Sequence, residues 1–190
     1  MGEFGRQPKF CEGLEIVMNL ILIGYRAAGK TTVGRLLARR LGWSFLDTDE
    51  LIEAQDGRTI AQMVEQEGWT HFRRLEKEIV ARVSAGSRQV IATGGGAVLD
   101  PDNVTVLRAR GRVVWLEADA DTIRRRLHGD DARPSLTGEG TIREAAQVLA
   151  ERRTAYDRAA HWRLDTARLD PDRIAETILA REAGLLVSES

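Results

Sequence analysis

Short apolar runs alternate along this chain with longer stretches in which apolar residues return every three or four positions. The runs at Leu20–Ile23, Ser44–Leu46, Val90–Ala92, Val113–Leu116 and Trp162–Leu164 predict five short strands. Between them, Val33, Leu36, Leu37 and Leu41 recur at helical spacing, as do Phe72, Leu75, Ile79 and Val83. A further helix is predicted over residues 141–159. Strand–helix alternation of this kind predicts an α/β fold in three layers, a five-stranded parallel sheet with helices on both faces. Residues 1–17 break the pattern, because Gly2, Gly5, Pro8 and Gly13 interrupt any period. They read as a flexible N-terminal extension, followed by a single domain over 18–183 and a C-terminal tail over 184–190.

Composition narrows the class of protein. A chain of 190 residues with 28 basic and 29 acidic side chains carries a formal charge of −1. Without a net positive field, nothing in it points to a general nucleic-acid binder. No apolar stretch approaches the roughly 18 residues a membrane helix needs, which argues against a membrane role. Cys11 is the single cysteine and cannot close an internal disulfide, in keeping with a reducing cytoplasm. Only Lys9, Lys30 and Lys77 are lysines, so each of the many arginines needs a positional argument.

The sharpest chemical signal follows the first strand. Gly24, Tyr25, Arg26, Ala27, Ala28, Gly29, Lys30 and Thr31 match G-x-x-x-x-G-K-[ST], between a predicted strand and a predicted helix. Such a loop wraps backbone N–H groups around phosphate oxygens, and the helix behind it directs its positive end at the anion. Lys30 would then carry charge to the β- and γ-phosphates, and the Thr31 hydroxyl would reach Mg²⁺. The reading is a site for a nucleoside triphosphate.

Other candidates fall at strand or helix ends, where such sheets hold ligands. Asp47 and Asp49 flank Thr48 after the second strand. On a continuing strand both carboxylates face one side and reach the phosphate site; the alternative is that Asp47 or Thr48 caps a helix starting near Glu50. Gly94, Gly95 and Gly96 follow the third strand, where three glycines suit close approach of a ligand to the main chain. In the helix over 141–159, Ile142, Ala145, Val148, Leu149 and Tyr156 form an apolar stripe with Arg152 near its centre. An inward guanidinium needs a partner, either an ion pair or a ligand. Arg73 lies beside the stripe of Phe72, Leu75, Ile79 and Val83. Residues 128–140 are polar and aperiodic around Arg133-Pro134, which suits a mobile lid carrying an arginine or a plain surface loop.

The elements Gly24 to Thr32, Phe45-Leu46-Asp47-Thr48-Asp49, Glu67-Gly68-Trp69 with Phe72-Arg73, Ile91 to Gly96, Arg133 to Leu136, and Glu151-Arg152 with Tyr156 together resemble the shikimate kinase family. The resemblance runs from Leu20 to about Ile178. It implies a nucleoside-monophosphate-kinase-like P-loop fold with a mobile lid near 126–140, in a cytoplasmic monomer. It also implies transfer of the ATP γ-phosphate to the 3-hydroxyl of shikimate, on the chorismate route to aromatic amino acids. The family's roles would place ATP on Gly24, Ala27, Ala28, Gly29, Lys30, Thr31 and Thr32, with Arg126 and Pro171 flanking adenine and Arg133 reaching over from the lid. Mg²⁺ would sit at Thr31 and, through water, Asp47. Shikimate would meet Asp49, as orienting group or base, with Arg73 and Arg152 on its carboxylate and Gly94, Gly95 and Gly96 beside it. Two positions depart from the pattern: many relatives have glycine where Ala27 stands, and a proline before the pair that here reads Ala155-Tyr156. A kinase for gluconate or a nucleotide, or a non-catalytic nucleotide switch, would share the phosphate loop without needing the two arginines, the glycine run and the paired aspartates together.

Overall fold

The computed structural model describes residues 18–127 and 141–187, with the side chains of 141–145 and 184–187 outside the description. The expectations for the extension over 1–17, for Arg133 and most of the lid, and for the last three residues lie outside the described residues. The described strands are β1 (Asn19–Ile23), β2 (Ser44–Asp47), β3 (Gln89–Ala92), β4 (Gly111–Glu117) and β5 (Trp162–Asp165). They form one parallel sheet in the order β2-β3-β1-β4-β5. Each predicted strand appears where the apolar runs place it, lengthened by a residue or more.

Helices α1 (Lys30–Leu41), α2 (Thr48–Asp56), α3 (Ile60–Ser84), α4 (Pro101–Arg110), α5 (Ala120–Leu127), α6 (Thr141–Ala159) and α7 (Pro171–Val187) cover the sheet. The central strand explains the layering. Every residue of β1 is buried, with Leu20 and Leu22 in one apolar cluster and Ile21 and Ile23 in another. The period of two sends alternate side chains to opposite faces, so a strand between two helical layers must be apolar throughout. Val33 and Leu37 of α1 and Ile174 and Ile178 of α7 fill the first cluster; Ile52, Phe72, Ile79, Leu107 and Tyr156 fill the second.

Helix starts follow local chemistry. Asp47 caps α2, Asp100 caps α4 with Pro101 at its first position, and Thr59 with Gln62 forms a reciprocal capping box on α3. By contrast α1 begins at Gly29 with no side-chain cap. Helix α3 is two helices in one, broken at Gly68, where φ 80 and ψ 172 are non-helical.

Helix α6 departs from a single inward stripe. Val148 and Leu149 join the cluster containing Ile123 and Leu127 of α5, whereas Tyr156 and Ala159 join the opposite cluster, with Tyr156 stacked on Trp115. Arg152 falls between these contacts and is half-buried. The far end of α6 is held by Arg108 of α4, whose Nη1 donates to the carbonyls of Arg158, Ala159 and Ala160 at 3.2, 3.0 and 2.9 Å. A cation there also opposes the helix dipole. Arg108→Ala is therefore expected to lower unfolding stability by about 1 kcal/mol, with Arg108→Lys recovering part of it, as read by urea denaturation.

Candidate active site

The loop between β1 and α1 takes its shape from three positive φ values, at Gly24 (142), Ala27 (58) and Gly29 (99). At Gly24 no other residue fits, because a Cβ would also stand 2.5 Å from the Leu116 carbonyl oxygen on β4. Ala27 adopts the left-handed region with a side chain, at a cost of about 1–2 kcal/mol. That cost gives a physical reason for the glycine preferred at this position in the resemblance. Lys30 Nζ donates to the carbonyls of Gly24 and Tyr25, each at 2.8 Å, so the ammonium closes over its own loop.

Asp47, the last residue of β2, joins that loop to the next helix. Its Oδ2 accepts from Thr31 Oγ1 at 2.8 Å, and its Oδ1 accepts from the Asp49 backbone N–H at 3.0 Å. Continuation of the strand through Asp49 is thus corrected. The strand stops at Asp47 because that carboxylate takes the Asp49 N–H and turns the chain into α2, which begins at Thr48 rather than near Glu50. Both aspartates remain at the site, Asp47 as the cap and Asp49 on the first turn. Thr48 is buried, and its Oγ1 accepts from the Gly94 N–H at 2.9 Å.

The glycine run leaves β3 between these groups. A Cβ on Gly94 would lie 2.6 Å from Asp49 Oδ1 and 3.0 Å from Glu76 Oε1, and one on Gly96 would lie 2.4 Å from Arg73 Nη2. Gly95 passes beside the phosphate loop and accepts two hydrogen bonds on its carbonyl, from Tyr156 Oη at 2.6 Å and Arg152 Nη1 at 3.1 Å. Burial pushes the Tyr156 phenol up to about 12, so it remains a donor at neutral pH. The structure therefore brings Asp49, Arg73, Arg152 and the three glycines together around one space next to Lys30 and Thr31.

The two arginines differ in their partners. Arg73 Nη1 donates to Glu76 Oε2 at 2.5 Å, and its guanidinium lies 5.5 Å from the Trp69 ring centre and 5.1 Å from that of Phe72. Arg152 donates to a neutral carbonyl and has no carboxylate partner among the described residues. Glu76 was missed at the sequence level. Its side chain is 1% exposed, and burial raises its carboxyl above the ordinary range while the Arg73 charge pulls it down. Its signal was legible: it follows Phe72 by four positions and Arg73 by three, a carboxylate on the apolar face of α3. Tyr156 reads as core and proves to be core with a polar tip.

Arg126, at the end of α5, donates through Nη1 to the Ala27 carbonyl and Thr166 Oγ1, each at 3.2 Å, and through Nη2 to the Thr166 carbonyl at 2.7 Å. It links the phosphate loop to the segment after β5, which leads to the exposed Pro171 at the head of α7. No group of three or more His, Cys, Asp or Glu able to hold a metal occurs among the described residues.

A parallel sheet in this order with a phosphate loop after its central strand defines a P-loop kinase fold. Residues 26–182 match the family model described as "SKI: Shikimate kinase", and the chain belongs to the shikimate kinase family. A "Shikimate kinase 2" of Sodalis glossinidius (strain morsitans) is 47% identical over 167 residues, covering 86% of this chain and 95% of that protein. A "Shikimate kinase" of Symbiobacterium thermophilum is 46% identical over 166 residues, with 86% and 95% covered. Among solved structures, a shikimate kinase from Acinetobacter baumannii, in complex with shikimate, superposes with a TM-score of 0.84 at 35% identity, covering 93% of this chain and 96% of that one.

The tight passage of Gly94 gives a test of the site's geometry. Gly94→Ala is expected to drive the Asp49 and Glu76 carboxylates aside and to reduce kcat by about 10²-fold, the scale of an ångström's misplacement. The melting temperature should stay within a few degrees, which thermal denaturation monitored by circular dichroism would check.

Proposed function

We propose that this protein transfers the γ-phosphoryl group of ATP to the 3-hydroxyl of shikimate, giving shikimate 3-phosphate and ADP. The observation carrying the acceptor is Arg152: a half-buried guanidinium with no carboxylate partner among the described residues, held by the Gly95 carbonyl a short way from Asp49. A buried charge left so is costly unless a ligand completes it, and the shikimate carboxylate would do so. Family membership supports the same reading.

In the proposed mechanism the phosphate loop from Gly24 to Thr32 holds the triphosphate with its N–H groups, and Lys30 swings from its loop carbonyls to the β- and γ-phosphates. Arg73 and Arg152 clamp the acceptor carboxylate, which points the 3-hydroxyl toward Asp49. As the hydroxyl oxygen bonds to the γ-phosphorus and the bond to the β–γ bridging oxygen breaks, Asp49 accepts or orients the departing proton. Gly94, Gly95 and Gly96 let the ring lie close to the main chain. By resemblance, Arg133 would stabilise the transferring group, and Arg126 and Pro171 would border the adenine.

The donor set also suits Mg²⁺, an ion that needs only one or two protein oxygens beside phosphates and water. Thr31 Oγ1 and Asp47 Oδ2, 2.8 Å apart, would hold it, Asp47 through a water molecule. Bound there, the ion would neutralise charge developing on the phosphates. The family resemblance implies a monomer as the working unit, and the need for ATP supports a cytoplasmic setting. No helix among the described residues is long and apolar enough to cross a membrane.

Steady-state ADP formation with each substrate varied separately tests the reading. Arg152→Ala is expected to cost about 2–4 kcal/mol in kcat/KM for shikimate while ATP affinity barely changes. Arg152→Lys should fall between, because an ammonium lacks the planar fork. A normal shikimate KM and kcat in Arg152→Ala, or no stimulation of ADP formation by shikimate, would reject the acceptor.

The metal assignment makes a separate prediction. Chelation of divalent cations should stop turnover, and Asp47→Ala should raise the Mg²⁺ concentration needed for half-maximal rate by about 10-fold or more. An unchanged requirement would remove Asp47 from the ion's shell.

A further inference from the structure

A polar cluster between the end of α2 and the kink in α3 has no part in the reaction just described. Asp56, at the end of α2, is 8% exposed and receives two hydrogen bonds from Arg58, Nε to Oδ1 at 2.5 Å and Nη2 to Oδ2 at 2.9 Å. Arg58 Nη2 also reaches Glu67 Oε1 at 2.5 Å, and Nη1 reaches Gln66 Oε1 at 2.9 Å. Both carboxylate groups also meet one imidazole: His71 Nδ1 lies 2.9 Å from Glu67 Oε2, and Nε2 lies 3.3 Å from Asp56 Oδ2, the oxygen it shares with Arg58.

The chemistry of that arrangement depends on the proton count of the ring. An imidazolium donates from both nitrogens, whereas a neutral ring has one donor and one lone pair. With the lone pair set against a carboxylate oxygen, one of the two contacts is lost. The groups facing His71 among the described residues are Asp56 on α2, Arg58 on the α2–α3 connection and Glu67 on α3. Hydrogen bonds from Arg58 and His71 hold the Asp56 carboxyl at about 2, so it stays ionised throughout the neutral range. The proton count of the imidazole therefore decides whether both contacts are kept.

Its position gives the ring mechanical leverage. Glu67 precedes the break at Gly68 and His71 follows it, so the imidazole spans the kink and ties both halves of α3 to α2. The segment just beyond the kink carries Trp69, Phe72 and Arg73, whose rings and guanidinium pack on one another. We propose that His71 is a positioning residue for acceptor binding, whose protonated ring fixes the kink in α3 and so sets Arg73 for the acceptor carboxylate. The inference rests on the acceptor reading above and adds to it a determinant outside the site.

The test compares the full-length protein with His71→Gln, an uncharged side chain with one amide donor group, at saturating ATP from about pH 5.5 to 8.5. In the unmodified protein the shikimate KM should rise by about 3- to 10-fold across that range, the size of one net hydrogen bond, while in His71→Gln it should be raised already at low pH and flat. Values of kcat and of the ATP KM should agree within about twofold between the two proteins at each pH, since Arg73 acts on acceptor binding alone. Hydrogen exchange of amides 67–73, corrected for intrinsic rate, should show protection falling with pH in the unmodified protein only. Identical shikimate KM profiles in the two proteins would overturn the role of His71, as would a parallel loss of kcat and both KM values with a lowered Tm. If amides 67–73 lose protection as expected but shikimate never stimulates ADP formation, the acceptor reading fails and the kink device stands.

Discussion

The carboxylate of Asp47 is where the two halves of the site meet. It stands at the end of β2 with one oxygen on the Thr31 hydroxyl and the other on the N–H that opens α2. Hydrogen bonds to an ionised acceptor contribute about 1.5–3 kcal/mol each, so this one side chain couples the nucleotide loop to the helix carrying Asp49. A neutral cap such as serine would turn the chain equally well but would bring no negative charge to a cation. Service as cap and as partner to Thr31, and on the proposed reading as outer ligand to a metal, accounts for a carboxylate on the strand adjoining β3, within reach of a loop that starts one strand further on.

A second constraint comes from crowding at the end of β3. The glycine run has Asp49 and Glu76 on one side, Arg73 on another and the phosphate loop beside Gly95. A side chain on Gly94 or Gly96 would collide with Asp49 and Glu76 or with Arg73. Tyr156 and Arg152 then draw the Gly95 carbonyl toward α6, so the main chain is fixed without a bulky residue within it. The buried, un-ionised phenol does this at no electrostatic cost, and its stacking on Trp115 fixes α6 against β4.

Most of the architecture could be read directly from the chain, because strands between two helical layers must be apolar throughout and short, and helices after them must carry a 3.6-residue period. The phosphate loop was legible because its spacing follows from the geometry of backbone N–H groups around an anion. Local pattern failed where two principles competed. After Phe45-Leu46 a period of two continues as far as Asp49, but the cap formed by Asp47 ended the strand first. The stripe on α6 looked continuous because periodicity registers a face and not what lies opposite it; its residues serve two different clusters, with Arg152 at the seam. His71 depends on Asp56 of α2 as well as on Glu67 across the kink, and no local window contains both; Glu76, three residues from its partner Arg73, carried a local signal that went unread.

The charges around the acceptor space explain why the two arginines are not redundant. Glu76 is almost fully buried, and its ionised form depends on Arg73, so the Arg73 charge is largely balanced before any substrate arrives. On the proposed reading the Asp49 carboxylate would stand close to the attacking hydroxyl. With Arg73 and Glu76 paired, an acceptor carboxylate entering beside Asp49 would meet net repulsion unless a further cation stood there. On the proposed reading Arg152 is that cation. It is hydrogen-bonded to a neutral carbonyl, which fixes its direction, and its charge reaches the Glu76 carboxyl only through space. Replacing the Gly95 contact with a carboxylate would hold the guanidinium more firmly and make it useless for recognition, since the ligand would then compete with an internal ion pair. On the proposed reading, neutral anchoring of Arg152 and charged anchoring of Arg73 would follow from one requirement: an anion must be admitted next to the Asp49 carboxylate.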